Sequence, residues 1–296
     1  MATTSMTEAG LSSNDSNLLT NILQEAIFTA SEKSIAGSVF TVYDMSGTPG
    51  LTVQIPIYPE ATAYAPTQAQ DLTGESISVG VKTITATEIG ARIDVSDLLA
   101  ESTARNMASD VGVMLGNAIA EKIDTDAFSI FTQANLSQIV GDASTAITPS
   151  TILKGVYTLR GQNAPTDADG DYYCVMHPGQ AYDVVSALTT AGFASGGATA
   201  LSSVGNALLS SSAYVGKIYN VKIFQSTAVA ADSVATGGLG AIFSPQAFGH
   251  ILKRPIRVET QRDASARLTE YVATTARGND VLKANYAVLL QGDKAL

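Results

Sequence analysis

One long helical pattern constrains the fold of this chain more than any other feature. Between residues 97 and 131, apolar side chains recur at the three-and-four spacing of a single helix face. Ser96 or Ser102 is the expected N-terminal cap. At 1.5 Å per residue such a helix would be roughly 45–50 Å long, longer than an ordinary domain helix. The stripe consists of Ala104, Met107, Ala108, Val111, Met114, Leu115, Ala118, Ile119, Ile123, Ala127, Ile130 and Phe131. We therefore expect a spine helix on which other segments pack.

Two strand-like runs precede this helix, on either side of a polar segment. The first, Val39 to Tyr58, is interrupted by glycine and proline, and the second, Ile77 to Val95, alternates in character. Pro56 and Pro59 favour an edge position, because proline cannot donate to a strand ladder. The pair predicts a long two-stranded arm. Since its outer half has few apolar residues, we expect the arm to rest on another surface.

The N-terminal segment shows a second, shorter helical pattern. Its apolar residues follow one helix face between Asn14 and Ile35. A helix of this length has little reason to be stable alone, so this stripe must also dock on something.

The remainder of the chain indicates a mixed arrangement of helices and strands. Helices are predicted at Ile152–Arg160 and from Gln180 to about Leu188, and strands at Tyr172–Met176 and near Lys217–Gln225. Gly196-Gly197 and Gly237-Gly238 are interpreted as flexible loops, because neither lies in the context of a phosphate-binding motif. Later strands are predicted at Ala241–Ser244, Ile256–Arg262, Leu268–Ala276 and Leu282–Gln291, with a turn at Arg277–Asp280 between the last two.

The composition is poor in charge, and the charge it has is unevenly distributed. Charged residues make up 15% of the 296, against about 25% in ordinary domains, so we expect neighbouring subunits to cover much of the surface. The net charge of −10 argues against nucleic-acid binding as the main role. Residues 1–151 hold 17 acidic and 5 basic residues, whereas residues 242–296 hold 5 and 8. The acidic front and basic tail could attract each other within or between chains.

The sequence predicts no catalytic, cofactor or metal site. Cys174 lies in an apolar run, whereas a reactive thiolate needs a partly exposed electropositive site, and His177 has a structural position between a strand and a helix. Asp167, Asp169 and Asp171 alternate as in a calcium loop, but the glycine and the acidic residue that the loop requires are missing, which favours a polar turn. No segment is apolar for the ~18 residues of a membrane span.

One basic cluster is the strongest candidate for contacts between subunits. It consists of Lys253, Arg254, Arg257, Arg262 and Arg267. Its expected partners are acidic residues in the arm of a neighbouring subunit, namely Glu60, Asp71, Glu75 and Glu88. Each exposed pair gives only ~0–1 kcal/mol, but repetition around a symmetric ring could fix orientation. Contact with packaged nucleic acid is the alternative.

Several segments, taken in order, resemble a known family. They are IDVSDLLAES at 93–102, AIAEKIDTDAFSIF at 118–131, YYCVMHPGQAYDVV at 172–185, GKIYNVKIFQST at 216–227 and AIFSPQAFGHILKRPIRVETQRD at 241–263. Each is loosely matched, and their order and spacing carry the likeness. Together with the N-terminal helix and the arm, they resemble the major capsid proteins of tailed bacteriophages with the HK97-type fold.

The resemblance implies an α+β fold with a defined division of the chain. Residues 1–38 would be the N-terminal arm, 39–93 a strand and the extended β-hairpin loop, and 94–150 the peripheral domain with its spine helix. Residues 151–240 would be the axial domain, and 241–296 the C-terminal strands of the peripheral domain. In this family the extended loop lies over a neighbour's peripheral domain.

The resemblance also implies a function and partners. The chain would assemble as hexamers and pentamers of an icosahedral virion shell in the host cytoplasm, and would enclose double-stranded DNA without reading its sequence. Scaffolding, portal and decoration proteins would be further partners. Two alternatives remain open: an encapsulin-like compartment shell, and a phage tail-tube or adhesin subunit. An enzyme is disfavoured, since the chain has one cysteine, two histidines and no tryptophan.

Overall fold

The computed structural model describes residues 22–30, 33–59, 76–102, 107–194, 214–230 and 237–293, together with single positions 63, 65, 68 and 74. Six α-helical segments are described: residues 22–30 (α1), Ala36–Val39 (α2), Asp97–Ser102 (α3), Met107–Phe128 (α4), Pro149–Gly161 (α5) and Pro178–Ala194 (α6). The strands are Thr41–Asp44 (β1), Thr52–Ile57 (β2), Gly80–Thr85 (β3), Thr87–Ser96 (β4), Ile139–Gly141 (β5), Tyr172–Met176 (β6), Tyr214–Ile218 (β7), Val221–Gln225 (β8), Gly237–Phe243 (β9), Phe248–Asp263 (β10), Leu268–Val281 (β11) and Ala287–Asp293 (β12).

A four-stranded sheet carries the spine helix. Its order is β1-β10-β11-β4, with β1 parallel to β10 and the other neighbours antiparallel. Helix α4 packs on β4 and β11. At 22 residues, α4 is about 33 Å long. The predicted helix at 97–131 is therefore described as α3 and α4, residues 103–106 lie outside the described part, and the helix ends at Phe128 rather than Phe131.

A six-stranded sheet forms the second layer. Its order is β5-β12-β9-β6-β8-β7, and it mixes parallel with antiparallel neighbours. Helices α5 and α6 pack against it. Strand β9 crosses the division predicted at residue 240, and β5 and β12 join the sheet of the 151–240 segment. The division into peripheral and axial domains itself stays a prediction.

A cluster of five phenylalanines joins the two layers. Phe40 follows α2, Phe128 and Phe131 lie at the end of α4, and Phe243 and Phe248 flank the short turn between β9 and β10. Ring centroids are 4.9 Å apart for Phe243–Phe248 and 5.0 Å for Phe40–Phe248. All five are buried, and their dispersion contacts and edge-to-face geometry fix the two sheets to the spine helix.

The predicted two-stranded arm is only half correct. Strands β2 and β3 do pair as an isolated antiparallel ribbon, from Thr52↔Thr85 to Ile57↔Gly80. The second half of the predicted run, β4, instead pairs with β11 in the four-stranded sheet. The alternation of Ile89, Ile93 and Val95 is explained by this sheet, where each of the three lies in or against the main core.

Two loop predictions are wrong. Arg277–Asp280 continue β11 and pair with β10. At Gly278 the backbone of Thr85 approaches so closely that a Cβ would lie 2.3 Å from its carbonyl oxygen. Gly237 and Gly238 are buried in β9. The buried Gln180 amide donates to the carbonyls of Gly238 and Gly292 at 3.0 and 2.9 Å, which leaves no room for a side chain there. Gly196-Gly197 lies outside the described residues.

Candidate assembly surface

The β2–β3 ribbon is packed at its base and exposed at its far end. At the base, Ile84 is buried with Ile251 and Leu282 in a small separate core, and Val53 and Ile55 pack against it. At the far end, apolar side chains face solvent. We call these residues the distal ribbon patch: Tyr58 (63% exposed), Ile77 (66%), Val79 (45%) and Val81 (56%). Contiguous exposed apolar side chains of this kind mark interaction sites.

Strand register explains why the far end is left uncovered. On the ribbon face towards the body, the apolar residues of β2 are Val53, Ile55 and Ile57. Their cross-strand neighbours on β3 are Ile84, Lys82 and Gly80, so only the pair at the base is apolar on both strands. The opposite face carries Val81 among Thr52, Gln54 and Thr83, all exposed. The ribbon therefore gains little from its own chain beyond its base.

The basic cluster lies on β10 and the turn that follows it, and three of its arginines have partners in the same chain. Both terminal nitrogens of Arg262 donate to the Asp97 carboxylate at 2.6 Å. Arg254 binds Glu88, and Arg257 Nε lies 3.2 Å from Glu259 Oε1. The hydrogen bond from Arg262 lowers the pKa of Asp97. All these pairs are exposed, so each contributes little to stability.

The other members of the predicted contact set differ in how far the structure describes them. Lys253 donates to the Thr48 carbonyl, and Arg267 occupies the turn after β10 with φ of 53°. Of the four acidic residues expected in a neighbour's arm, Glu88 is bound by Arg254 of its own chain, whereas Glu60, Asp71 and Glu75 lie outside the described residues. The contacts between subunits stay a prediction.

The residues considered for chemistry have structural positions. Cys174 is fully buried, and this burial raises the pKa of its thiol. The backbone N–H of Gly179 donates to His177 Nδ1 at 3.2 Å, at the start of α6. Within the described part of the chain, no group of three or more His, Cys, Asp or Glu side chains is placed to hold a metal ion. None of the described helices is long and apolar enough to cross a membrane.

The alternating aspartates form the predicted turn and bind lysines. Lys222 Nζ lies 2.9 Å from Asp169 Oδ2 and 3.3 Å from Asp167 Oδ2, and Lys217 Nζ lies 2.6 Å from Asp171 Oδ1. These contacts, led by the hydrogen bond to Asp169, raise the pKa of Lys222. Tyr173 donates to Asp167, and burial followed by this hydrogen bond raises the tyrosine pKa to about 12. The aspartates thus fasten the entry of β6 to β7 and β8.

A buried carboxylate on α4 holds the base of the N-terminal segment. Asp124 accepts hydrogen bonds from Ser34 Oγ at 2.9 Å and from the backbone N–H groups of Ile35 and Ala36 at 3.0–3.1 Å. We call this contact the N-terminal seat. Burial raises the pKa of Asp124, against the effect of the donated hydrogen bonds. The seat satisfies the free N–H groups at the start of α2.

Helix α1 approaches α4 at two glycines one turn apart. A Cβ on Gly112 would lie 2.9 Å from the Ile22 carbonyl oxygen, and one on Gly116 would lie 2.8 Å from that of Ala26. Ile22 and Ala26 are buried in this contact. The predicted amphipathic helix at 14–35 is thus confirmed for residues 22–30, and it docks on the spine helix of its own chain. Residues 14–21, 31 and 32 lie outside the described part, and Ser34 and Ile35 are not helical.

Comparison with known protein families decides the identity of this fold. A family model described as phage capsid protein matches residues 80–281, more than half of the 296-residue chain. The chain belongs to the phage capsid protein family. No curated protein matches it.

Several solved structures similar to this capsid protein are phage capsids or heads. The capsid of cyanophage P-SCSP1u has a TM-score of 0.64 at 18% identity, over 88% of this chain and 89% of that one. The head of Helicobacter pylori bacteriophage KHP40 gives 0.65 at 12%, over 89% and 92%, and the capsid of Ralstonia phage GP4 gives 0.65 at 12%, over 88% and 91%. The α+β HK97-like fold and the role as a phage major capsid protein, predicted from the sequence, are confirmed.

The comparisons also agree with a structural rather than enzymatic role and a place in the virion.

Sequence reasoning missed several residues that hold this capsid protein together internally. Asp124 was not among the predicted site residues. Its position between Ile123 and Ala127 on the apolar stripe was the available signal, because a carboxylate there must be buried and bound. The Gly112–Gly116 spacing was a second signal, typical of close helix contact. Arg277 was predicted in a turn, whereas it is a half-buried residue of β11.

Proposed function

We propose that this protein is the subunit of a closed icosahedral shell of hexamers and pentamers, assembled in the host cytoplasm around double-stranded DNA. The observation that supports this most directly is the ribbon: its base packs on its own chain, and its far end offers Tyr58, Ile77, Val79 and Val81 to solvent. A monomer gains little stability from the far end of this ribbon. If a neighbouring subunit covers the patch, each Å² of apolar surface that it buries contributes roughly 25 cal/mol of stabilisation.

The basic cluster supports a second contact in the same shell. Lys253 and Arg257 lie on the long strand β10 and Arg267 lies in the turn after it. Among the described residues, Arg257 pairs with Glu259 of its own strand, and the charge of Arg267 acts on Asp97. The expected partners are Glu60, Asp71 and Glu75 of the neighbour's arm. Scaffolding, portal and decoration proteins are further expected partners of the assembled shell.

The assembly experiment separates the three candidate functions. Full-length protein is expressed alone and viewed by negative-stain electron microscopy, and particles from infected cells are treated with nuclease before extraction. We expect closed shells, and nuclease-protected double-stranded DNA inside the infected-cell particles. Shells that hold a protein cargo and no DNA would favour the compartment, and tubes or fibres would favour the tail subunit. The phage capsid family match supports the first outcome.

A paired substitution tests the ribbon itself. Val79→Thr with Val81→Thr keeps the β-branched shape and strand preference but removes apolar surface from the distal ribbon patch. We expect an unchanged monomer unfolding curve and at least a tenfold drop in shell yield. Thr83→Ser, on the outer face nearer the base, is the matched control and should assemble normally. Normal shell yield from the double variant would contradict the proposed role of the patch.

A further inference from the structure

A chain of polar side chains, in which His250 is buried and Asn279 and Arg277 are half-buried, links β10 and β11 to the N-terminal seat. His250 is 1% exposed, and its Nδ1 lies 2.6 Å from Asn279 Oδ1 on the paired residue of β11. Its Nε2 lies 3.4 Å from Arg277. Arg277 in turn acts electrostatically on Asp124, the carboxylate that holds Ser34, Ile35 and Ala36.

The network defines the protonation state of the imidazole. Arg277 can only donate, so Nε2 must accept, and Nδ1 must carry the proton that Asn279 Oδ1 accepts. The opposite tautomer would set an N–H against a guanidinium N–H. His250 is therefore neutral in the closed structure. A second proton would go to Nε2 and place a cationic N–H against the Arg277 cation inside the protein.

Arg277 has room to move away from a charged imidazole. It lines a cavity of about 400 Å³ together with Ser34, Gly37 and Ser38 of the N-terminal segment and Pro255 of β10. Displacement of the guanidinium into this cavity would take it from its contact with His250 Nε2 and would change its electrostatic interaction with Asp124. The segment that Asp124 holds forms one wall of the same cavity.

We infer that His250, Arg277 and Asn279 form a pH-sensitive lock on the N-terminal seat, closed while the imidazole is neutral and released when it is protonated. This role goes beyond shell assembly, because it concerns how firmly one subunit holds its own N-terminal segment. Acidification is expected to loosen α2 and β1 before the aromatic core opens.

The direction of the pH effect follows from burial. Burial lowers the pKa of His250, and the charge of Arg277 acts in the same direction, whereas the hydrogen bond to Asn279 opposes it. The open state therefore binds a proton that the closed state does not, below the ordinary histidine pKa of about 6.5. The equilibrium constant between the closed and open states therefore falls by up to about tenfold for each pH unit below about 6.5.

Other charged groups near the lock act differently. Asp124 has a raised pKa, so its own protonation would favour the closed state and oppose the histidine. On β1, Val42 lies opposite His250, and Asp44 is exposed and bound to Ser46. When variants are compared at the same pH, the effects of Asp124 and Asp44 on the pH dependence are equal in all of them and cancel.

Amide hydrogen exchange of the full-length protein at pH 7.5 and 5.5, corrected for the intrinsic rate, tests the lock. Wild type should lose about tenfold protection over residues 34–44 at the lower pH. His250→Asn, whose amide can still donate to Asn279 but does not titrate, should keep its protection. His177→Asn, at the only other histidine, should behave as wild type. Equal loss in wild type and His250→Asn would overturn the inference.

A second measurement does not depend on a variant that folds. Exchange of the imidazole C2 proton, followed by mass spectrometry in the unmodified protein, gives the pKa of each histidine. A His250 pKa clearly below about 6.5 supports the lock. A pKa at or above that value would overturn it, whatever the assembly state of the sample.

Discussion

The aromatic core and the β2–β3 ribbon show two ways in which one chain uses apolar side chains. In the core, Phe40, Phe128, Phe131, Phe243 and Phe248 cover one another completely, and both sheets meet there. In the ribbon, Ile77, Val79 and Val81 lie at the surface beyond a base of a few buried residues. The core stabilises the subunit alone, whereas the ribbon is stabilised by whatever covers it.

The difference teaches where stability and assembly reside. Truncation in the core should cost folding free energy in any state of the protein, because a cavity opens that the rigid surroundings cannot fill. Truncation at the distal ribbon patch should cost free energy only in the shell. A subunit built in this way can fold first and assemble afterwards.

Phe248→Ala should produce the largest effect. Phe248 is fully buried and contacts Phe40, Phe131 and Phe243, so its truncation should lower the free energy of unfolding by about 3–5 kcal/mol. Urea unfolding of the unassembled protein measures this loss. Val81→Ala at the ribbon should change the same quantity by less than about 0.5 kcal/mol. Similar losses of unfolding free energy in Phe248→Ala and Val81→Ala would contradict the difference between the core and the ribbon.

Asp124→Ala should follow in size. It removes the acceptor for Ser34 Oγ and two backbone N–H groups, and it leaves buried donors without a partner. We expect a loss of about 2–3 kcal/mol and early proteolysis near residue 34. Asp126→Ala, which breaks only an exposed contact with Lys122, is the control. A seat that stays protected in Asp124→Ala would show that the helix contact at Gly112 and Gly116 holds the segment alone.

Gly116→Ala tests that helix contact. The new methyl group would meet the Ala26 carbonyl and Thr29 Cβ at 2.8 Å, so α1 must shift. Overpacking of this kind costs about 1–3 kcal/mol. Gly37→Ala, where a Cβ meets nothing within 4 Å, should be neutral or slightly stabilising. Thermal unfolding of the two variants at one protein concentration separates the steric clash at Gly116 from the effect of alanine on helix stability.

Exchange of Asp97 and Arg262 should have the smallest effect on folding. Because the pair is exposed, Arg262→Asp alone should leave the unfolding midpoint nearly unchanged at pH 7. Asp97 has a lowered pKa, so its small contribution is present above its usual pKa and is lost as the pH falls through the lower folded value. Shell yield distinguishes the two roles of Arg262. If Arg262→Asp lowers the yield and Asp97→Arg/Arg262→Asp restores it, the contact lies within the subunit. If the double variant does not restore the yield, Arg262 contacts a neighbour.

Local patterns made much of the fold predictable. The apolar stripe of α4, the apolar run of β6 and the helix predicted at Ile152–Arg160 depend on patterns that neighbouring residues set, and the structure confirms a helix or strand at each of them. The order of motifs was enough to identify the family. Prediction failed where the partner of a segment is far away in sequence. β4 matched an arm strand by pattern, but pairs with β11 some 180 residues later.

The sequence by itself determined most of the helical and extended segments and the capsid family of this chain, because periodicity and the order of motifs can be read along the chain without knowledge of its contacts. Only the tertiary structure decided which strands share a sheet, that Arg277–Asp280 continue β11, and that Asp124 is a buried acceptor. Strand pairing and burial depend on long-range contacts, whose free energy is shared by segments that no local pattern connects.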